Sequence, residues 1–183
     1  MPNENPTKGP AQAEQEPVQV EDLVARAQGG ELEAIGELYD QHHVSVLKYT
    51  WSRVGDRETA EDLTGEVFLR MVRALPKYRR TKIPFRAWLY RIARNLVIDH
   101  YRMQSDQASV PLEVAENTSN EGDHPAKAVD RALKMEQLHG ALTSIKPSER
   151  DVVVLRFLVG LSIRETAVVL SKSEASVKAM QHR

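Results

Sequence analysis

The stretch F-R-A-W-L-Y-R-I-A-R-N-L-V-I-D-H-Y-R, residues 85–102, decides how the rest of the chain is read. Phe85, Trp88, Leu89, Ile92 and Leu96 recur at spacings of three and four, which puts them on one stripe of an α-helix. Arg91, Asn95, Asp99 and Arg102 repeat at the same spacing along another side. One side is therefore for a core, and a second, largely cationic side is left for a partner. Pro84 suits the first turn of such a helix, where its missing N–H has no intrahelical acceptor to lose.

Working outward, the same periodicity continues in both directions, and no segment alternates apolar and polar residues long enough to make a strand. The fold class expected is all-α, with two small helical domains joined by a flexible acidic linker. Toward the N-terminus, a helix over 20–28 should stop at Gly29 and Gly30. A second over 32–54 carries Ile35, Leu38, Tyr39, His42, Val46 and Thr50 on one stripe and closes at Gly55. Asp56 is placed to cap a third, whose inward residues are Leu63, Val67, Met71 and Leu75. Residues 76–84 read as a basic loop. Residues 1–17 are rich in Pro, Gln and Glu and are expected to be a disordered tail.

Beyond Arg102, residues 103–125 have little apolar periodicity and include N-T-S-N-E-G-D, so they read as a linker between a first domain over 18–102 and a second over 126–183. In the second domain Val129, Leu133, Leu138, Leu142 and Ile145 face inward from a helix over 126–144. Ser148 and Asp151 resemble a capping box opening a helix that ends at Gly160, and Ser162 with Glu165 match that box again. Residues 171–173 form a polar turn, after which Ser173 caps a last helix with Val177 inward. Two short capped helices around a three-residue turn make a helix-turn-helix.

The 183 residues contain 25 Lys and Arg against 26 Asp and Glu, but the charge is unevenly spread. Residues 18–66 carry a net −7, residues 70–102 a net +9 with Asp99 the single acid, and residues 105–125 a net −5 with no Lys or Arg. A concentrated basic block is the electrostatic footprint of a nucleic-acid binder, because Lys and Arg neutralise phosphates and release counterions. The absence of cysteine excludes a disulfide scaffold and a Cys-ligated zinc site. Adjacent His42 and His43 point to different sides of a helix, so no metal is expected, and no cofactor motif or catalytic signature is present. No apolar run approaches the ~18 to 20 residues that cross a bilayer, so no membrane insertion is expected and the cytoplasm is the expected compartment.

The run D-R-E-T-A-E-D-L-T-G-E-V-F-L-R-M-V-R-A-L, residues 56–75, followed by residues 85–102, resembles region 2 of the extracytoplasmic-function (ECF) group of bacterial sigma-70-family sigma factors. Residues 147–183, from P-S-E-R-D to A-M-Q-H-R, resemble region 4 of the same group. The resemblance implies a non-enzymatic subunit that directs RNA polymerase to promoters and helps open them. It implies core polymerase as a partner, through the clamp and flap of the large subunits, with Asp62, Leu63, Glu66 and Phe68 on the clamp side. For the −10 element, captured from the melted non-template strand, it implies Lys77, Arg79, Arg80, Lys82, Arg86, Arg91, Asn95, Asp99 and Arg102. A positive groove with base-edge hydrogen bonds suits single-stranded DNA, and the Asn95 amide offers both a donor and an acceptor. Tyr78 either stacks on a base or covers the loop. Trp88 is assigned to the core.

For the −35 element the resemblance implies Arg164, Lys172, Ser173, Ser176, Lys178, His182 and Arg183, contacting duplex promoter DNA. Ala179 and Met180 stand where many members have Ser and Arg, and the recognition helix stops at Arg183, so a truncated C-terminus is expected. Many members are held by an anti-sigma factor, which the resemblance adds as a partner. The rival reading is a helix-turn-helix repressor or activator whose first domain senses a ligand or dimerises. That reading leaves the +9 block in the other domain unexplained.

Overall fold

A computed structural model describes residues 16–79, 83–107 and 125–182, among which lie eight α-helices. Helix α1 spans Glu16–Gln28, α2 Leu32–Val54, α3 Arg57–Ala74 and α4 Phe85–Gln107. After the interval 108–124 come α5 (Pro125–Thr143), α6 (Pro147–Val153), α7 (Ile163–Leu170) and α8 (Glu174–Gln181). There is no strand among the described residues.

The helix starts and stops follow local chemistry. Asp56 caps α3 by accepting from the Thr59 backbone N–H at 2.7 Å, and the hydrogen bonds from Thr59 hold its carboxyl below the usual carboxylate range. Gly55 ends α2 at φ 80°, in the left-handed region that glycine takes without a Cβ clash. An added Cβ there would also lie 2.7 Å from the His139 ring of α5, which would have to shift. Between α2 and α3, the buried Thr50 and Thr64 hydroxyls meet at 2.9 Å, and both reach the Ala60 carbonyl. That network satisfies polar groups that burial would otherwise leave without water.

Several expectations shift. Helix α1 begins at Glu16, so residues 16 and 17, counted in the tail, are helical; residues 1–15 lie outside the described part. Helix α4 continues past Arg102 to Gln107, shortening the expected linker, of which residues 108–124 lie outside the described part. The capping box expected at Ser148 and Asp151 is not formed. Lys146 occupies the N-cap of α6 with no side-chain bond, and Asp151 instead pairs with Arg53 and Arg94 on other helices. Helix α6 then widens into a π-helical turn over Val154–Leu158, with the Val159 N–H donating to the Val154 carbonyl.

The second box, at Ser162, forms as the spacing requires. The Glu165 N–H donates to the Ser162 hydroxyl at 3.1 Å, and the Glu165 carboxylate accepts from the Ser162 N–H at 2.8 Å. Ser162→Ala is expected to cost about 1 kcal/mol, the usual worth of an N-cap, read as a lowered urea midpoint with an unchanged slope.

The two sets of helices are not separate. One buried cluster runs from Leu38, Val46, Tyr49, Leu89 and Tyr90 of α2 and α4 to Val152, Leu155, Leu161 and Val177 of the C-terminal helices. Helix α7 lies against α4, and α5 against α2.

Candidate nucleic-acid interface

The basic loop before α4 is fixed at both ends by α1 and by aromatic packing. Gln28 Nε2 donates to the Leu75 and Tyr78 carbonyls at 2.9 and 2.8 Å. The Tyr78 hydroxyl donates to the Ile83 carbonyl at 2.6 Å, while its ring lies 4.7 Å from Trp88 and edge-on to Phe85. Tyr78 is buried, so of its two readings it takes the covering one, and Trp88 packs against the core as assigned. Lys77 and Arg79 are exposed beside this clasp; Arg80 and Lys82 lie outside the described residues.

Along α4 the functional face divides. Asn95 and Arg102 are exposed, and the Asn95 amide has no hydrogen-bond partner among the described residues. Asp99, the lone acid of the basic block, joins two cations: Arg102 at 3.7 Å and Arg70 of α3 at 3.9 Å. Arg70 in turn donates to Glu66 at 2.8 Å. Exposed pairs of this kind are worth only about 0–1 kcal/mol each.

Arg86, Arg91 and Arg94 turn instead toward the C-terminal helices. Arg86 donates to the Val159 carbonyl at 3.0 Å, and Arg94 to Asp151 at 3.3 Å. Arg91 is half-buried and lines an open cleft of about 510 Å³ together with Ile83, Arg164, Lys172 and Glu174. Candidates for two different DNA elements, Arg91 on one side and Arg164 and Lys172 on the other, thus share one cleft. Asn95, Asp99 and Arg102 stay outside it.

On α3 the exposed side carries Asp62, Leu69, Arg70 and Val72, with Leu69 53 % exposed. Phe68 is turned inward at 5 % exposure beneath the Tyr39 and His43 rings, and Leu63 packs against the core. Leu69 and Val72, which the sequence reading did not single out, are the exposed apolar residues of α3; they lie outside its inward stripe, which is the signal that could have found them.

In the C-terminal unit Ser171 takes the left-handed conformation at φ 53° and closes α7, and Ser173 caps α8 by accepting from the Ser176 N–H. Val177 is fully buried and anchors α8, leaving Lys178 and His182 exposed on it. Arg164, Lys172 and Ser173 are exposed and Ser176 half-buried; Arg183 lies outside the described residues. Arg156 on the π turn donates to Gln181 at 3.1 Å and to the Leu161 carbonyl, fixing the end of α8. No cluster of three metal-ligating side chains occurs among the described residues, and no described helix is long and apolar enough to cross a membrane.

Comparison with known proteins places both units. Residues 38–107 match the family Sigma-70 region 2, and residues 135–183 match Sigma-70, region 4. The chain is 39% identical over 171 residues to the ECF RNA polymerase sigma factor BldN of Streptomyces coelicolor, covering 93% of this chain and 65% of that protein. It is 31% identical over 165 residues to the ECF RNA polymerase sigma factor SigD of Mycobacterium tuberculosis, covering 88% of this chain and 78% of that one. Among solved structures it resembles CnrH in complex with the cytosolic domain of CnrY, with TM-score 0.68, 27% identity and 88% of each chain covered. A likeness in fold extends to the sigma factor RpoE in complex with the anti-sigma factor NepR from Bartonella quintana, at TM-score 0.62 and 17% identity over 81% of this chain and 89% of that one. The first unit, which the rival reading made a sensing or dimerising domain, is a sigma region instead.

Proposed function

Because the chain belongs to the ECF group of sigma-70-family RNA polymerase sigma factors, we propose that it is a promoter-specificity subunit of RNA polymerase, acting in the cytoplasm and making no bond itself. The observation that carries this reading is α4: its inner side is core, and its outer side presents an unpartnered Asn95 between cations. In this role the loop residues Lys77, Arg79, Arg80 and Lys82 and the face Arg86, Arg91, Asn95 and Arg102 hold the melted non-template strand at the −10 element. Cations track the phosphates, and the amide reads a base edge. Asp99 holds Arg102 in place. Helix α8 enters the major groove at the −35 element with Ser176, Lys178, His182 and Arg183, while Arg164, Lys172 and Ser173 contact backbone phosphates.

Core polymerase docks on α3, where Asp62 and Glu66 flank the exposed Leu69 and Val72, an apolar centre with a charged rim of the kind that makes a specific interface. The C-terminal unit meets the flap of a large subunit. An anti-sigma factor is a further partner, as the family resemblance implies; CnrH, at 27% identity, was likewise solved in complex with the cytosolic domain of CnrY.

Run-off transcription with core polymerase and a promoter library tests the reading. Initiation appears at some promoter only when the chain is added; a chain that binds duplex as a dimer and adds no initiation overturns it. Asp62→Lys is expected to weaken core binding by about tenfold, because a reversed rim charge meets a complementary surface. Binding should be measured by fluorescence anisotropy, and an unchanged affinity would place the docking surface elsewhere.

A further inference from the structure

We propose that Gln28 is a positioning residue for the DNA-reading surface: from the end of α1 it fixes the main chain that presents Lys77 and Arg79 to the opened strand. The inference rests on the promoter-opening role given above. Gln28 Nε2 donates to two carbonyls at once, that of Leu75 at 2.9 Å and that of Tyr78 at 2.8 Å. Carbonyls only accept, so the amide NH2 and not the amide oxygen faces the loop, and both of its hydrogens are used.

The two carbonyls bracket Lys77. Leu75–Lys77 form one tight helical turn, closed where the Tyr78 N–H donates to the Leu75 carbonyl at 3.0 Å. A chain leaving a helix has carbonyls with no intrahelical donor, and here a side chain 47 residues earlier supplies one. The Tyr78 carbonyl belongs to the peptide unit that leads into Arg79, so holding it sets the direction in which the chain departs. The Tyr78 side chain is held separately, by its ring contacts with Phe85 and Trp88 and by its bond to the Ile83 carbonyl. Gln28 is itself well placed to act as a fixed point. Leu23, Val24 and Ala27 bury one side of α1, and Arg26 Nε donates to Glu31 at 2.9 Å, tying the end of α1 to the start of α2.

Gln28 does this from an exposed position, with Lys77 and Arg79 exposed as well. Water can reach both carbonyls once the amide is removed, so the two bonds contribute little to the stability of the fold. Their contribution is order before binding. A loop already set in place loses less conformational freedom when it meets the strand, which is how preorganisation raises affinity.

The test uses the full chain and Gln28→Met, which keeps the length of the side chain and removes its donors. Amide exchange followed by NMR is expected to be about fivefold faster at the Tyr78 N–H in the variant and unchanged at the buried Val46 of α2, as loss of one typical hydrogen bond to a local turn requires. With core polymerase, at a promoter where the unaltered chain initiates, formation of the opened complex should fall by about fivefold. That loss should disappear in a chain already carrying Lys77→Ala and Arg79→Ala, because a residue acting through those cations then has nothing to position. Equal loss in both backgrounds marks a general weakening and overturns the proposal. Unchanged exchange at Tyr78 overturns it too, as does faster exchange with unaltered opening. If the unaltered chain initiates at no promoter, the assigned function falls instead, while the exchange result still decides whether Gln28 sets the loop.

Discussion

Acidification from pH 7 to pH 4 is expected to destabilise this protein by about 3 kcal/mol more than it destabilises a His42→Leu variant. His42 lies on the inward side of α2, is 7 % exposed, and leaves its Nε2 without a hydrogen-bond partner among the described residues. Its ring is 5.5 Å from that of Phe85. Burial, with a smaller contribution from the Arg86 charge, pushes its pKa down from 6.5 to about 4. The unfolded chain gains a proton on this ring below about pH 6.5, while the folded chain stays neutral until about pH 4. In that window the unfolded state binds more protons, so stability falls as pH falls. The contribution is whole above pH 6.5 and lost by pH 4. Urea midpoints taken at intervals across the range check it, and the difference between the two proteins cancels titration elsewhere. Parallel curves would mean that the ring is hydrated in solution.

His42 also illustrates which features could be read from the chain itself. Its place on the inward stripe of α2 follows from periodicity alone, as do Leu38 and Val46, and Asp56, Gly55 and Ser162 each mark a helix end through bonds reaching no further than four residues. Local rules found local partners. Asp151 shows where such rules stop: three residues after Ser148 it has the spacing of a capping box, yet its partners lie on α2 and α4, and Arg94 is 57 residues away. Nothing in a local pattern separates an acid that caps from an acid that pairs at long range. The same holds for Phe68, which is one position off the inward stripe and is buried because Tyr39 and His43 extend the core over it. The π turn at Val154–Leu158, which packs against α2, left no readable mark either.

For the candidate site, composition marked a basic block and the fold divides it. The +9 block is contiguous in sequence, but its members meet different surroundings. Arg102 faces solvent, Arg86 and Arg94 bond across to the C-terminal unit, and Asp99 pairs with Arg70 and Arg102. A helix face is one object only until another helix lies on half of it, and α7 does so here. The residues left outside are those on which a test of DNA reading should concentrate.

Asn95→Ala is expected to reduce discrimination between a cognate −10 element and one substituted at the read base by about ten- to a hundredfold, since a good bidentate contact to a base edge is worth about 1–3 kcal/mol. The protein itself should be at least as stable as before. Asn95 is exposed with no hydrogen-bond partner among the described residues, and it lies in the interior of α4, where alanine is the better helix former by about 0.5 kcal/mol. Core binding should also be unchanged, because the proposed docking side of α3 is a separate surface. Arg102→Ala is the informative companion. In the proposed role it removes a phosphate contact, so binding should weaken about equally for every sequence, with a shallower dependence on salt. Competition between cognate and substituted promoters, followed by the reactivity of unpaired thymines in the opened complex, distinguishes the two. Equal discrimination by the Asn95 variant and the unaltered protein would show that its amide does not read the strand, and the reading surface would then have to be sought among the loop cations.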